Sequence, residues 1–325
     1  MEKVIDCIAC GSCTVDILVK PVDLNQPLGT DRLIKVAPIE STTGGIVSNS
    51  GTALARLGMK TAACTAVGND DWGQIVRRKL SAEGIDINYV ATRTDLPTST
   101  TVVLIDNSGQ RSFAHCQGAP KRLDKAFFLN QIDLFATSRS MLLGYYSLLP
   151  DVEHDLPEVF AAIRETGCLT AMDSAGSGGD MEPLRGMLPH LDFYVPSFTE
   201  AQHQTGCDDP REILEIFRGC GSPGVIGVKL GSRGALLSPK IGEFIKIDPV
   251  QPPGPVVDTT GAGDAFYAGL ITGILRGMTV CDAGRLAAAA GACCVTAVGA
   301  SAGLRNFDDT MQLAFGNVAS VNQTR

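Results

Sequence analysis

The stretch DTTGAGDAFYAGL, residues 258–270, joins a Gly-rich turn to an apolar helical run, and its reading decides the fold. Gly261 and Gly263 let the backbone approach an anion closely. The first turn of the helix that follows offers unpaired N–H groups and the positive end of its dipole, so a phosphoryl group is stabilised there. Asp264 stands at the same helix start, where a carboxylate either caps the helix or takes a proton from a bound alcohol. The run before it, ending in PVV at 255–257, reads as a strand. Strand, Gly turn and helix make up the kind of junction at which open α/β sheets bind ligands.

Working outward, apolar runs rich in Val, Ile and Thr alternate with amphipathic helical stretches. Strands are expected over 4–10, 61–67, 141–144, 169–173, 193–195 and 225–230. Helices are expected over 48–57, 72–83, 152–165 and 211–218, and again over 261–276 and 279–298. This alternation predicts an α/β fold, a central and mostly parallel sheet flanked by helices on both faces. Two segments break the pattern, 14–39 and 98–116. In the second, TTVVLID and RSFAHC flank the turn residues NSGQ and predict a hairpin. They read as a small β-sheet lid over the carboxyl ends of the main strands, within a single domain spanning 1–325.

Composition removes several classes. The 35 acidic and 27 basic residues give a net charge of −8, with no Lys/Arg run, which argues against nucleic acid as a partner. The first twenty residues carry Glu2, Asp6 and Asp16 and lack a signal peptide's basic start and apolar core. The longest weakly polar run, 286–300, is short of the roughly 20 residues that span a bilayer. Eleven cysteines form no framework of short loops, so a cytoplasmic protein with free thiols is expected. Cys7, Cys10 and Cys13 follow part of an iron–sulfur spacing, but VIDCIAC also reads as a buried strand with Cys as a small apolar residue.

A second Gly-rich junction, TTGGIVSNSGTALARLG at 42–58, places Gly44 and Gly45 before a helix with Asn49 in its first turn. Asn49 there either caps the helix or bonds a substrate hydroxyl. GSCTVD, this Gly pair with Asn49, AVGNDDWG, KLGSRG and DTTGAGDAF follow one another in the order of the PfkB family. The chain thus resembles the ribokinase-like carbohydrate and nucleoside kinases from about residue 4 to beyond residue 303.

That resemblance implies an ATP-dependent kinase acting on a hydroxymethyl group of a small sugar, or alternatively of a nucleoside. Asp264 is then the base, and the N–H groups of Gly261, Ala262 and Gly263 form an anion hole for the transferring phosphoryl. Asp16, Gly44, Gly45 and Asn49 match substrate-binding positions. Lys229, Gly231, Ser232, Arg233 and Gly234 in KLGSRG match the nucleotide site, with small residues at 287–294 as a surface for adenine. Magnesium would arrive with ATP, and Glu200 would order a magnesium-bound water. The family's N-x-x-E element reads Ser197-Phe198-Thr199-Glu200 here, with the Asn lost. Asp258 and Thr260 match positions that hold a monovalent cation, K⁺. Ile46 replaces a Lys of the ribokinases proper, which takes away a polar contact. Phe113, Tyr145 and Tyr146 are candidates for a purine slot, and two lids pairing by their strands would make a homodimer.

Two rivals stand beside this reading. Residues 299–303 fit G-x-S-x-G, but a helix precedes Ser301 and all four His lie upstream of it, which is the wrong order for a serine hydrolase. A non-catalytic sugar-binding protein on the same fold would be free to lose Asp264 or the Gly turn, and this chain keeps both.

Overall fold

Side chains of the first strand, β1 (Ile5–Gly11), alternate between two cores: Ile8 and Cys10 enter one, Cys7 and Ala9 the other. The period of two puts Cys7 and Cys10 on opposite faces of the sheet, which dismisses the iron–sulfur spacing. The computed structural model describes residues 2–26, 33–176 and 178–316. β1 pairs in parallel with β4 (Thr61–Gly68) on one side and β8 (Ser138–Gly144) on the other. β5 (Val90–Arg93) follows β4, while β9 (Leu169–Asp173), β10 (Phe193–Tyr194) and β11 (Val225–Lys229) continue beyond β8, all parallel. β12 (Ala235–Ser238) and β13 (Ile245–Ile247) finish the nine-stranded sheet by antiparallel pairing. The chain order diverges on the two sides of β1, so the crevice for a ligand opens at the carboxyl ends of β1 and β8. There Gly11 faces Gly144 so closely that a Cβ on Gly11 would stand 2.5 Å from the Gly144 carbonyl oxygen.

One sheet face is covered by α1 (Gly45–Arg56), α2 (Asp71–Ala82), α9 (Ala262–Leu275) and α10 (Val280–Cys294), whose Leu54, Leu80, Leu270 and Ala287 share a core with Leu142. The other carries α3 (Lys125–Leu129), α4 (Ile132–Ala136), α5 (Leu156–Glu165), α6 (Met181–Met187), α7 (Phe198–Thr205) and α8 (Pro210–Gly219), burying Phe128, Phe135, Phe160 and Phe217. α11 (Phe307–Phe315) packs on α10. Side-chain caps start several of these helices: Asp209 accepts from the Arg211 and Glu212 amides before α8, and Ser197 with Glu200 forms a capping box on α7. No helix among the described residues is long and apolar enough to cross a membrane.

A separate four-stranded sheet is ordered β3-β2-β6-β7, from β2 (Thr14–Val19), β3 (Glu40–Gly44), β6 (Thr100–Ile105) and β7 (Arg111–Cys116). β6 and β7 form the expected hairpin, with the Asp106 carboxylate accepting the Ser108 and Gln110 amides inside the turn. β3 departs from the expectation: 42–44, read as the approach to a helix, pair antiparallel with β2 within ESTTG, and 27–32 of the expected lid segment lie outside the described residues.

Other expectations also need correction. No strand precedes α9: residues 250–257 are irregular, with Val256 and Val257 exposed, so a β-branched run alone gave a false signal. α1 begins at Gly45, which puts Asn49 in its second turn and not at a cap. The sequence pattern also does not mark β5, β12, β13, α3, α4, α6, α7 or α11; the three strands span three or four residues and α3, α4, α6 and α7 five to eight, too short for periodicity to show.

Candidate active site

α9 begins where Gly261, at φ +78°, turns the chain; a Cβ there would stand 2.4 Å from that of Ala300. Asp264 is the third residue of the helix, but it caps nothing. Its side chain is 5% exposed and points into the crevice, where Oδ2 accepts from Asn49 Nδ2 at 2.9 Å and from the Tyr145 hydroxyl at 2.8 Å. Burial raises the Asp264 carboxyl above its ordinary range, against the pull of those two donors and of Lys229. Burial, then the Asp264 charge, drives the Tyr145 hydroxyl well up, so it stays protonated and donates. Tyr145 follows β8 in a left-handed conformation, φ 62° and ψ 45°, the only positive-φ residue other than glycine among the described ones.

Next to this carboxylate lies a cavity of about 210 Å³, walled by Asp16, Gly44, Gly45, Asn49, Phe113 and Tyr145 among others. The Gly pair is sterically required. A Cβ on Gly44 would sit 2.3 Å from Asp16 Oδ2, and one on Gly45, at φ +78°, 2.5 Å from the Ser12 carbonyl oxygen. Burial raises the Asp16 carboxyl, opposed by the Thr101 hydroxyl and the charge of His115. Ile46 does not face this cavity. It is fully buried against Gly144, so its apolar nature carries no information about the substrate. Tyr146 lies in the opposite core, where its hydroxyl donates to the Gly178 carbonyl oxygen, and so it drops out of the purine slot.

A second cavity, about 540 Å³, opens on the far side of the α9 start. Lys229, Gly231, Ser232 and Gly234 of the β11–β12 turn line it, with Ala262 and Gly263 of α9 and the small residues Ala288, Gly291 and Ala292 of α10. Arg233 is not brought here: it is exposed and lies over the Phe198 ring at 5.5 Å. Of the anion-hole amides, that of Ala262 is already directed at the Thr259 carbonyl at 3.3 Å. Lys229 comes closest to this turn, since a Cβ on Gly263 would meet its Nζ at 3.2 Å. Asp173, at the carboxyl end of β9, holds that ammonium at 2.8 and 2.9 Å, and both side chains are buried. Burial pushes Asp173 up while Lys229 opposes it, and Asp173 keeps the Lys229 ammonium charged.

Glu200 spends Oε2 on the Ser197 amide at 2.7 Å, as the capping box requires. Among the described residues no cluster of three acidic, His or Cys side chains forms a metal cage. The alkali-cation expectation does not fit. Arg111 of β7 reaches Asp258 Oδ2 at 2.6 Å and Thr260 Oγ1 at 2.6 Å, and fills the place between them.

The structure therefore brings together Asp16, Gly44, Gly45 and Asn49 around one cavity, with Asp264 bonded to its wall residues Asn49 and Tyr145, and Lys229, Gly231, Ser232, Gly234, Ala262 and Gly263 around the other. Asp173, Arg111 and the hydroxyl role of Tyr145 escaped the sequence reading. A carboxylate closing the otherwise apolar run LTAMD was a usable signal for Asp173; Arg111, one charge in an exposed hairpin, offered none.

Two cavities beside the start of one helix, with a buried carboxylate bonded to the wall of the smaller, suit a small-molecule phosphotransferase of the ribokinase-like fold. The chain belongs to the pfkB family of carbohydrate kinases, whose profile matches residues 5–306. It is 30% identical to a fructokinase from Klebsiella pneumoniae over 81% of this chain and 82% of that one. It is 28% identical to a ribokinase from Haemophilus influenzae over 83% and 86% of the two chains. The fold matches the structure of Arabidopsis thaliana ribokinase complexed with ribose and ATP, with a TM-score of 0.80 at 24% identity over 97% and 99% of the chains.

Proposed function

We propose that this kinase transfers the γ-phosphoryl group of ATP to a hydroxymethyl group of a small neutral sugar, with Asp264 as the base. The observation that carries the reading is the buried Asp264 carboxylate, held by Asn49 and Tyr145 of the smaller cavity's wall, on the helix whose first residues Ala262 and Gly263 line the larger cavity. The proton of the sugar hydroxyl passes to Asp264 as that oxygen bonds the γ-phosphorus. The bond from phosphorus to the β–γ bridging oxygen breaks, and ADP leaves. Lys229 and the first amides of α9 offset the charge of the group in transit. Magnesium bound with the nucleotide offsets charge on its phosphates.

A cavity of about 210 Å³ falls below the roughly 300–1,000 Å³ of sites for drug-sized ligands, which favours a monosaccharide over a nucleoside. The cation nearest the sugar, Arg111, is neutralised by Asp258, which favours an uncharged substrate over a sugar acid or sugar phosphate. All eleven cysteines are free, in keeping with a cytoplasmic setting. The open edge of β7 supports pairing of two lids, and light scattering that finds only monomer would remove that part of the reading.

The test is coupled ADP release with ATP and magnesium against pentoses, ketohexoses, sugar phosphates and nucleosides, for the wild type and Asp264→Asn. Turnover of a neutral sugar that collapses in the variant is expected. Binding of one panel member by calorimetry without turnover would instead identify a sugar-binding protein.

A further inference from the structure

Asp258 lies just before the anion-hole turn, its side chain 4% exposed, and three donors converge on it. The Thr260 amide reaches Oδ1 at 3.0 Å, the Gly299 amide reaches Oδ2 at 2.7 Å, and Arg111 Nη2 reaches Oδ2 at 2.6 Å. Arg111 Nη1 also donates to Thr260 Oγ1 at 2.6 Å. The guanidinium belongs to the first residue of β7, on the lid, while both its acceptors belong to the loop that leads into α9. Its side chain is only 25% exposed and borders the sugar cavity. Three donors of the protein, one of them carrying a full positive charge, thus meet the two oxygens of this carboxylate.

We propose that Arg111 is the built-in counter-cation of the anion-hole loop, standing where a monovalent cation would otherwise bind, and that it ties the phosphoryl site to the lid over the sugar. Two consequences separate this device from a bound ion. A covalently supplied charge needs no dissolved alkali cation. And because the charge comes from the lid, the loop is ordered only when the lid lies over the sugar, so closure and readiness of the anion hole are one event. Arg111 is thus a positioning residue: it shapes the loop whose amides meet the phosphoryl group and touches no reacting atom.

The experiment compares wild type, Arg111→Ala and Arg111→Lys in potassium chloride and choline chloride at equal ionic strength, reading the melting temperature and the rate on the substrate found by the panel. The rate arm rests on the kinase reading; the melting arm does not, so failure of that reading silences the first and leaves the second. Wild type is expected to melt and turn over identically in the two salts. Arg111→Ala is expected to lose about tenfold in kcat in choline. Potassium or added guanidinium should return most of that loss, with potassium raising its melting temperature. Arg111→Lys should fall between the two. Activation or stabilisation of the wild type by potassium overturns the proposal. So does an alanine variant that stays fully active in choline, or one whose loss neither ion repairs.

Discussion

Asn49 in the second turn of α1 donates to Asp264 Oδ2 at 2.9 Å, joining two helices whose contacting residues are 215 positions apart. Ser50 repeats the tie one residue on, giving its hydroxyl proton to the Asp264 carbonyl oxygen at 3.1 Å. The Asp264 side chain and backbone are therefore both tied to α1.

Replacing Asp264 with Asn keeps the shape of this contact and removes the proton acceptor. We expect kcat to fall about a thousandfold, with KM for sugar and for ATP changing little. Steady-state kinetics beside an unchanged melting curve checks this.

The pH profile should carry the mark of burial. Asp264 must be ionised to act, and its folded carboxyl is raised, so the acid limb of kcat lies above the range of an ordinary aspartate. The Tyr145 and Asn49 donors hold that rise back. Tyr145→Phe should therefore shift the acid limb to still higher pH and lower the plateau by about tenfold or less. A limb that stays in place would mean that the hydroxyl does not touch the base during turnover.

Gly44→Ala puts a methyl where Asp16 Oδ2 now lies. A displacement on that scale is expected to raise the sugar KM by about ten- to a hundredfold while the ATP KM holds, because the nucleotide cavity lies on the other side of α9.

Asp173→Ala strands the Lys229 ammonium in a site where it is 11% exposed, at a cost of about 3 kcal/mol read as a lower denaturation midpoint. Adding Lys229→Met should restore most of the midpoint and none of the activity. Recovery of both would reduce the pair to a structural role.

What the sequence made legible was local. Gly261, Gly263 and Asp264 announce themselves because turn, helix dipole and carboxylate fall within one short stretch, and the alternation in β1 is visible in seven residues. What it hid was distant or weakly patterned. The bond between Arg111 and Thr260 crosses 149 positions, and no periodicity encodes which of 27 basic residues will find a buried carboxylate. Asn49 looked like a cap because caps are decided within one turn, whereas its partner is supplied by packing. The irregular 250–257 segment shows the reverse failure, a β-branched run with no neighbouring strand to pair with.

The crowded pair Gly44 and Gly45 leaves one wall of the smaller cavity with no side chain to vary. The lid side is different: Val103 and Ile105 of β6 are buried, with β6 held between β2 and β7, but Phe113 stands exposed on the edge strand β7. A breeder of new specificities working with this chain would find the glycine wall closed to substitution and Phe113 open to it. Preference for one sugar or another can then drift at Phe113, provided that Arg111 at the start of the same strand keeps its hold on Asp258 and Thr260.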